Sequence, residues 1–279
     1  MRLTGLLVMG VFLLAGCAQP NTAQPTPEVK EKAKASAPKP RHDEAKFRSW
    51  LKELRTEAKT RGISEKTLDD ALGDITHLDR VIELDRKQPE SRLTLEEYLA
   101  KVVSDQRINR GRELLAENRA LLDEISAKYG VPPEIIVALW GIETSYGNNT
   151  GSFSVPEALA TLAFDGRRSA YFRGELLSAL KIIEEGHIDA TSMEGSWAGA
   201  MGQCQFMPSS FMNFAVDYDG DGKRDIWNTQ ADIFASIANY LSRSGWNNDS
   251  ENNFNVLLKW NRSRYFATAV MQIADGIKS

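Results

Sequence analysis

The chain has 279 residues, with 38 acidic against 34 basic side chains and a net charge of −4. So weak a charge, with no basic stripe, gives no footing for nucleic acid as a partner. The only cysteines are Cys17 and Cys204, and a core must hold together whatever folds beyond the leader, for which the length suffices.

The start, "MRLTGLLVMGVFLLAGC", has Arg2, an apolar run of about a dozen residues and small residues before Cys17. It reads as a signal peptide over residues 1–16, too short for a mature span, which needs roughly 20 apolar residues. "LLAGC" resembles the bacterial lipobox. That resemblance implies cleavage before Cys17 and lipid on its thiol and amine, so that no disulfide forms within the chain. Several acyl chains anchor stably, at about 0.8 kcal/mol per buried CH2. Ala18 is not acidic, which in Gram-negative lipoproteins implies an outer-membrane lipoprotein facing the periplasm. No later apolar run is long enough to span a membrane. Residues 17–45 are rich in Pro, Ala, Lys and Gln, with Val29 as the one large apolar residue, and read as a flexible tether.

Periodicity begins inside the domain expected over 46–279. Phe47, Trp50, Leu51, Leu54 and Ala58 form a helical stripe, stopped at Gly62. Ser64 caps a second helix through Leu72. Further helices are predicted over 95–103, 110–129, 169–185 and 231–242, and a packing helix near the C-terminus. Strand alternation is not sustained anywhere, and no internal repeat is seen. The expected class is mainly α, with long loops around 144–157 and 187–230.

Pro132 and Pro133 open a further helix, since its first turn needs no partner for a missing N–H. Ile135, Leu139 and Glu143 are four apart and share a side, so Glu143 projects inward from the helix end. Such a carboxylate is most often a cap or an ion-pair partner. It is also suited to general acid work, because apolar surroundings raise its pKa and keep it protonated. Most glycosidases use two carboxylates. No convincing second one stands nearby in the sequence: Asp165 and Glu175 are the candidates, and either is as easily a surface charge.

A second motif, "GSWAGAMGQCQFMPSSF" (195–211), sets small residues among Trp197, Met201 and Phe206. It offers Gln203 and Gln205 at alternate positions. Together with "GIETSYG" it resembles the membrane-bound lytic murein transglycosylase B family. The resemblance extends through "FRSWLKELRTEAKTRGIS", "VIELDRKQPE", "DGRRSAYFRGELLSAL" and "ASIANYL". It implies a lysozyme-like helical domain with additional N-terminal helices and an EF-hand-like loop. The implied partner is the peptidoglycan glycan strand. The implied reaction cleaves the β-1,4 bond between N-acetylmuramic acid and N-acetylglucosamine and leaves 1,6-anhydro ends. By motif, Glu143 is the single catalytic acid/base, and no cofactor serves catalysis. Ser196, Gln205 and Tyr240 match substrate-contacting positions, Arg167 and Arg168 an arginine pair near peptide or sugar, and Asn261 a late polar contact. A non-catalytic wall-binding scaffold and a hydrolytic muramidase of similar fold are the rival readings.

In "DYDGDGKRDIWN" (217–228), Asp217, Asp219 and Asp221 fall at positions 1, 3 and 5 of a calcium loop, with Gly222 at the sharp turn. Lys223 offers its carbonyl at position 7 and Asp225 stands at position 9. Position 12 is Asn228 rather than Glu. The family resemblance implies a longer loop closed by a later acid, for which Asp232 is the candidate, around a structural Ca2+. Cys204 reads as a small buried side chain, and His42, His77 and His187 show no metal-ligand spacing.

Overall fold

The stripe of Phe47, Leu51, Leu54 and Ala58 is buried along one side of α1 (Glu44–Thr60). The computed structural model describes residues 44–87 and 93–279. The leader, Cys17, His42 and the tether up to residue 43 lie outside the described residues, as does the end of "VIELDRKQPE". Helix α1 begins at Glu44, two residues inside the segment expected as tether.

α2 (Glu65–Leu72) starts as read from the sequence: the Ser64 hydroxyl accepts from Thr67 N–H at 3.2 Å. The same hydroxyl donates to Glu184 at 2.8 Å, fastening the cap to a distant helix. α3 (Asp79–Arg86) and α4 (Leu95–Val102) follow, the latter opened by a capping box between Thr94 and Glu97.

The single helix expected over 110–129 is two, α5 (Asp105–Glu117) and α6 (Arg119–Tyr129). Asn118 breaks them, and its amide bonds the Leu114 carbonyl at 2.8 Å. Side-chain capping of this kind competes with helix continuation.

α7 (Pro133–Thr144) is buried from Ile135 through Gly141 because α5, α6, α11 (Gln230–Arg243) and α13 (Arg264–Lys278) all pack on it. α8 (Val155–Asp165) and α9 (Ser169–Glu184) form another close pair, with α10 (Pro208–Phe214) packed on α9. α12 (Ser250–Trp260) lies against α13 and α11.

Two-residue strands β1 (Phe153–Ser154) and β2 (Glu194–Gly195) pair antiparallel, and bridges Gly195–Met201 and Met201–Phe206 extend that ribbon. The class is mainly α, as expected. Four helices were not legible. α8 is buried on nearly every side and so has no stripe, and α10 is a seven-residue helix inside the expected 187–230 loop. α3 and α12 escaped as well.

Candidate active site

Glu143 stands one residue before the end of α7. Ser145, Tyr146 and Gly147 follow with φ of 50°, 61° and 83°. Three successive left-handed residues stop a helix abruptly, and each non-glycine there costs on the order of 1–3 kcal/mol. Tyr146 is held in compensation. Its hydroxyl donates to the Arg107 carbonyl at 2.6 Å, and its ring lies where a Cβ on Gly141 would meet it at 2.5 Å. The first glycine in "GIETSYG" is therefore a space for the Tyr146 ring.

The two sequence motifs meet here. Thr144 Oγ1 lies 3.1 Å from the Gln203 carbonyl and accepts from Gly147 N–H at 3.0 Å. Gln203 is taken up wholly by structure. Its Oε1 accepts from the Trp140 indole and its Nε2 donates to the Trp227 carbonyl, both at 2.7 Å. Gln205, two residues on, has φ 49°, and its amide nitrogen donates to the carbonyls of Thr150 and Gly202. Among the described residues no hydrogen bond engages its Oε1. A cavity of about 600 Å³ is lined by Gly147, Thr150, His187, Glu194, Gln203 and Trp227, and neither Glu143 nor Gln205 lines it.

Glu143 is partly buried, and its Oε1 accepts from the Trp260 indole at 2.7 Å. Burial pushes its carboxyl up to about 7, and the Trp260 bond opposes that shift. Among the described residues no cation pairs with it. Both alternative carboxylates are engaged with other groups. Asp165 is paired with Arg86 at 2.7 Å, and Glu175 accepts from the Ser209 N–H and hydroxyl at 2.8 and 2.7 Å, capping α10.

An aromatic wall adjoins the acid. The Trp260 ring lies 4.7 Å from Tyr240 and 5.3 Å from Phe206, and Phe214 lies 4.4 Å from Tyr240. The Tyr240 hydroxyl donates to the Lys259 carbonyl at 2.8 Å. Tyr98 on α4 is within electrostatic reach of Glu143: burial first, then the Glu143 charge, pushes its phenol up. Neither Trp260 nor Tyr98 was found from the sequence. The only signals for them are the tryptophan beside Asn261 in "KWNRS" and a lone tyrosine in "EEYLA".

The remaining expected contacts fall in different places. The Ser196 hydroxyl accepts from Ala200 N–H at 3.0 Å and keeps its own hydrogen to donate. Asn261 ends α12, its Oδ1 accepting from Ser263 N–H at 3.0 Å. Arg167 is tied to Asp85, Nε to Oδ2 at 2.7 Å and Nη2 to Oδ1 at 2.5 Å, and Asp85 is buried. Arg168 lies over the exposed Tyr171 ring, 4.5 Å from its centroid. Among the described residues no bond links either arginine to Glu143.

The acidic loop lies between α10 and α11. Asp217, Asp219 and Asp221 each bring a carboxylate oxygen within 4.8 Å of the others. No Lys or Arg pairs with any of the three among the described residues, so hard oxygen donors converge without a protein cation, which suits Ca2+. Asp225 and Asp232 lie outside that group of three. Asp225 accepts from Trp227, Asn228 and Thr229, forming a turn into α11. Asp232 is buried, its two oxygens accepting from the N–H groups of Tyr218 and Asp225 at 2.7 Å each. It ties the loop's start to its end directly. Cys204 is buried, and burial pushes its thiol up, which fits a packing residue.

Residues 46–252 match the family described as "Transglycosylase SLT domain". Over 150 residues the chain is 40% identical to the membrane-bound lytic murein transglycosylase B of Escherichia coli K12. That match spans 53% of this chain and 41% of the relative's length. The structure resembles SltB3 of Pseudomonas aeruginosa in complex with NAG-anhNAM-pentapeptide, with a TM-score of 0.80 and 33% identity over 84% of this chain and 80% of that one. It also resembles the Escherichia coli lytic transglycosylase Slt35 in complex with calcium, with a TM-score of 0.73 and 26% identity over 85% and 93% of the two chains.

Proposed function

Because the chain belongs to the family of the transglycosylase SLT domain, we propose that it is a lytic transglycosylase cleaving the glycan strand of peptidoglycan. The observation that carries this reading is the placement of Glu143: a carboxyl at the end of α7 that accepts from the Trp260 indole beside an aromatic wall, with no cation paired to it among the described residues, where burial pushes it up to about 7.

Glu143 gives its proton to the bridging oxygen as the bond from C1 of N-acetylmuramic acid to O4 of N-acetylglucosamine breaks. The substrate's own acetamido oxygen stabilises the charge developing at C1, a known exception to the two-carboxylate scheme. The muramyl O6 then bonds to C1, and its hydroxyl proton passes to the Glu143 carboxylate. Atoms balance without water, and the ring's own hydroxyl gains from proximity. Asp165 and Glu175 are engaged elsewhere, which this route accommodates.

Ser196 donates its hydroxyl and Gln205 accepts through Oε1 to orient the sugar, with Tyr240 presenting its ring. Arg168, stacked on exposed Tyr171, is the arginine available to peptide or sugar, while Arg167 anchors the pair through Asp85. Asn261 turns the chain behind the wall. Asp217, Asp219 and Asp221, with the Lys223 carbonyl, hold a structural Ca2+, and Asp225 and Asp232 brace the loop from behind. Lipid on Cys17 would keep the enzyme at the outer membrane, facing the periplasm.

The test is mass spectrometry of fragments released from purified peptidoglycan. Products lighter by one water than reducing muropeptides are expected. Reducing ends would identify a muramidase, and binding without fragments a scaffold.

A further inference from the structure

We infer that Trp260 is a positioning residue for Glu143: its indole N–H, 2.7 Å from Oε1, holds that oxygen as an acceptor and leaves Oε2 to carry the proton that is transferred. This rests on the reading of Glu143 as the acid.

The argument is one of donor inventory. An indole nitrogen donates one hydrogen and accepts none. A carboxyl whose Oε1 faced it with a proton would set two hydrogens against each other. The protonated acid is therefore restricted to one of its two oxygens. When the proton leaves, the same contact becomes charge-assisted and stronger. One fixed donor thus orients the acid before the first proton transfer and supports the anion until the second.

The fold locks the indole in place. Trp260 is the last residue of α12, and Tyr240 fixes the backbone one residue earlier by donating to the Lys259 carbonyl. One residue later, Asn261 turns the chain through Ser263 N–H. The Tyr240 and Phe206 rings pack on the indole at 4.7 and 5.3 Å. Tyr240 and Asn261 thus converge on one neighbour.

Among the described residues, Trp260 is the one group whose hydrogen bond acts on Glu143. Tyr98 on α4 and Cys204 in the 195–207 segment feel its charge, and both are pushed up by burial. Arg107 on α5 acts on Tyr98 and Tyr146 and donates to the Val102 carbonyl. Asp232 on α11 acts on Cys204.

The test replaces Trp260 by its isostere β-(3-benzothienyl)alanine, which keeps the shape and removes the N–H, alongside Trp260→Phe. The Glu143 side-chain carboxyl is titrated by carbon-13 NMR, and kcat and KM are followed against pH. In the isostere the carboxyl pKa is expected to rise by about one to two units. The alkaline limb of kcat should move with it, kcat near neutrality should fall roughly tenfold or more, and KM should stay within about twofold. An unchanged Glu143 titration in the isostere overturns the inference. So does a loss of kcat with titration and limb alike unmoved in both variants, since a merely structural role predicts that result. A shifted titration that the limb ignores would instead remove Glu143 as the acid, whatever the products are.

Discussion

Gln203 accepts from the Trp140 indole at 2.7 Å while donating to the Trp227 carbonyl at 2.7 Å, so one side chain clamps the acid's helix to the end of the acidic loop. Its backbone does the same, N–H to the Ile226 carbonyl at 2.8 Å and carbonyl to Thr144 at 3.1 Å. Replacing Gln203 by Leu leaves an indole N–H and a carbonyl without partners, at about 1–3 kcal/mol for each buried group. The expected result is a melting temperature lower by several degrees, with kcat reduced because the Thr144 end of α7 loosens. Thermal unfolding beside a fragment-release assay checks it, and an unchanged melt would show the clamp to be idle.

Glu143→Gln should lower fragment release by at least about 100-fold, the usual scale of general acid catalysis. Its effect on stability has a definite sign. The folded pKa, about 7, lies above the ordinary 4.5, so the unfolded chain ionises first and native stability falls as pH rises from about 4.5 to about 7. The loss then levels off, at on the order of 3 kcal/mol. Glutamine has no such loss. The variant should therefore melt higher than the wild type at pH 8 and no higher at pH 4, as read by calorimetry at both pH values.

Calcium should raise the melting temperature and a chelator should lower it. Occupancy at a hundredfold excess over Kd is worth about 2.7 kcal/mol. Asp221→Asn should blunt that response. Asp232→Asn should lower the baseline stability, because a buried backbone N–H loses its partner, yet keep the response. Loss of the response in Asp232→Asn would restore Asp232 to the ligand set.

The two neighbouring arginines should separate. Arg167→Met strands the buried Asp85 carboxylate and is expected to lower the melting temperature with KM unchanged. Arg168→Met should leave the melt nearly unmoved and raise KM for peptide-bearing strands. Equal effects of both on KM would return Arg167 to the substrate surface.

Much of the site was legible along the chain because its signals are local. The prolines that open α7, the four-residue spacing to Glu143 and the alternating Asp217, Asp219 and Asp221 are properties of short windows. A helix with one wet face, such as α1, declares itself by a stripe, and α2 by its Ser64 cap. α8 is covered almost all round, and so no stripe marks it.

The sequence by itself determined a mainly helical chain, an acid at the end of an apolar helix, and three carboxylates spaced for a cation. Only the tertiary structure decided what surrounds them. It brought Trp260 to Glu143 across 117 residues, engaged Arg167 with Asp85 and gave both oxygens of Asp232 to backbone N–H groups. It also separated Gln203, which is consumed by the clamp, from Gln205, which keeps an acceptor. Periodicity reports which face of an element is buried. Which partner fills a given hydrogen bond depends on elements far apart in the chain meeting in space, and no local window carries that information.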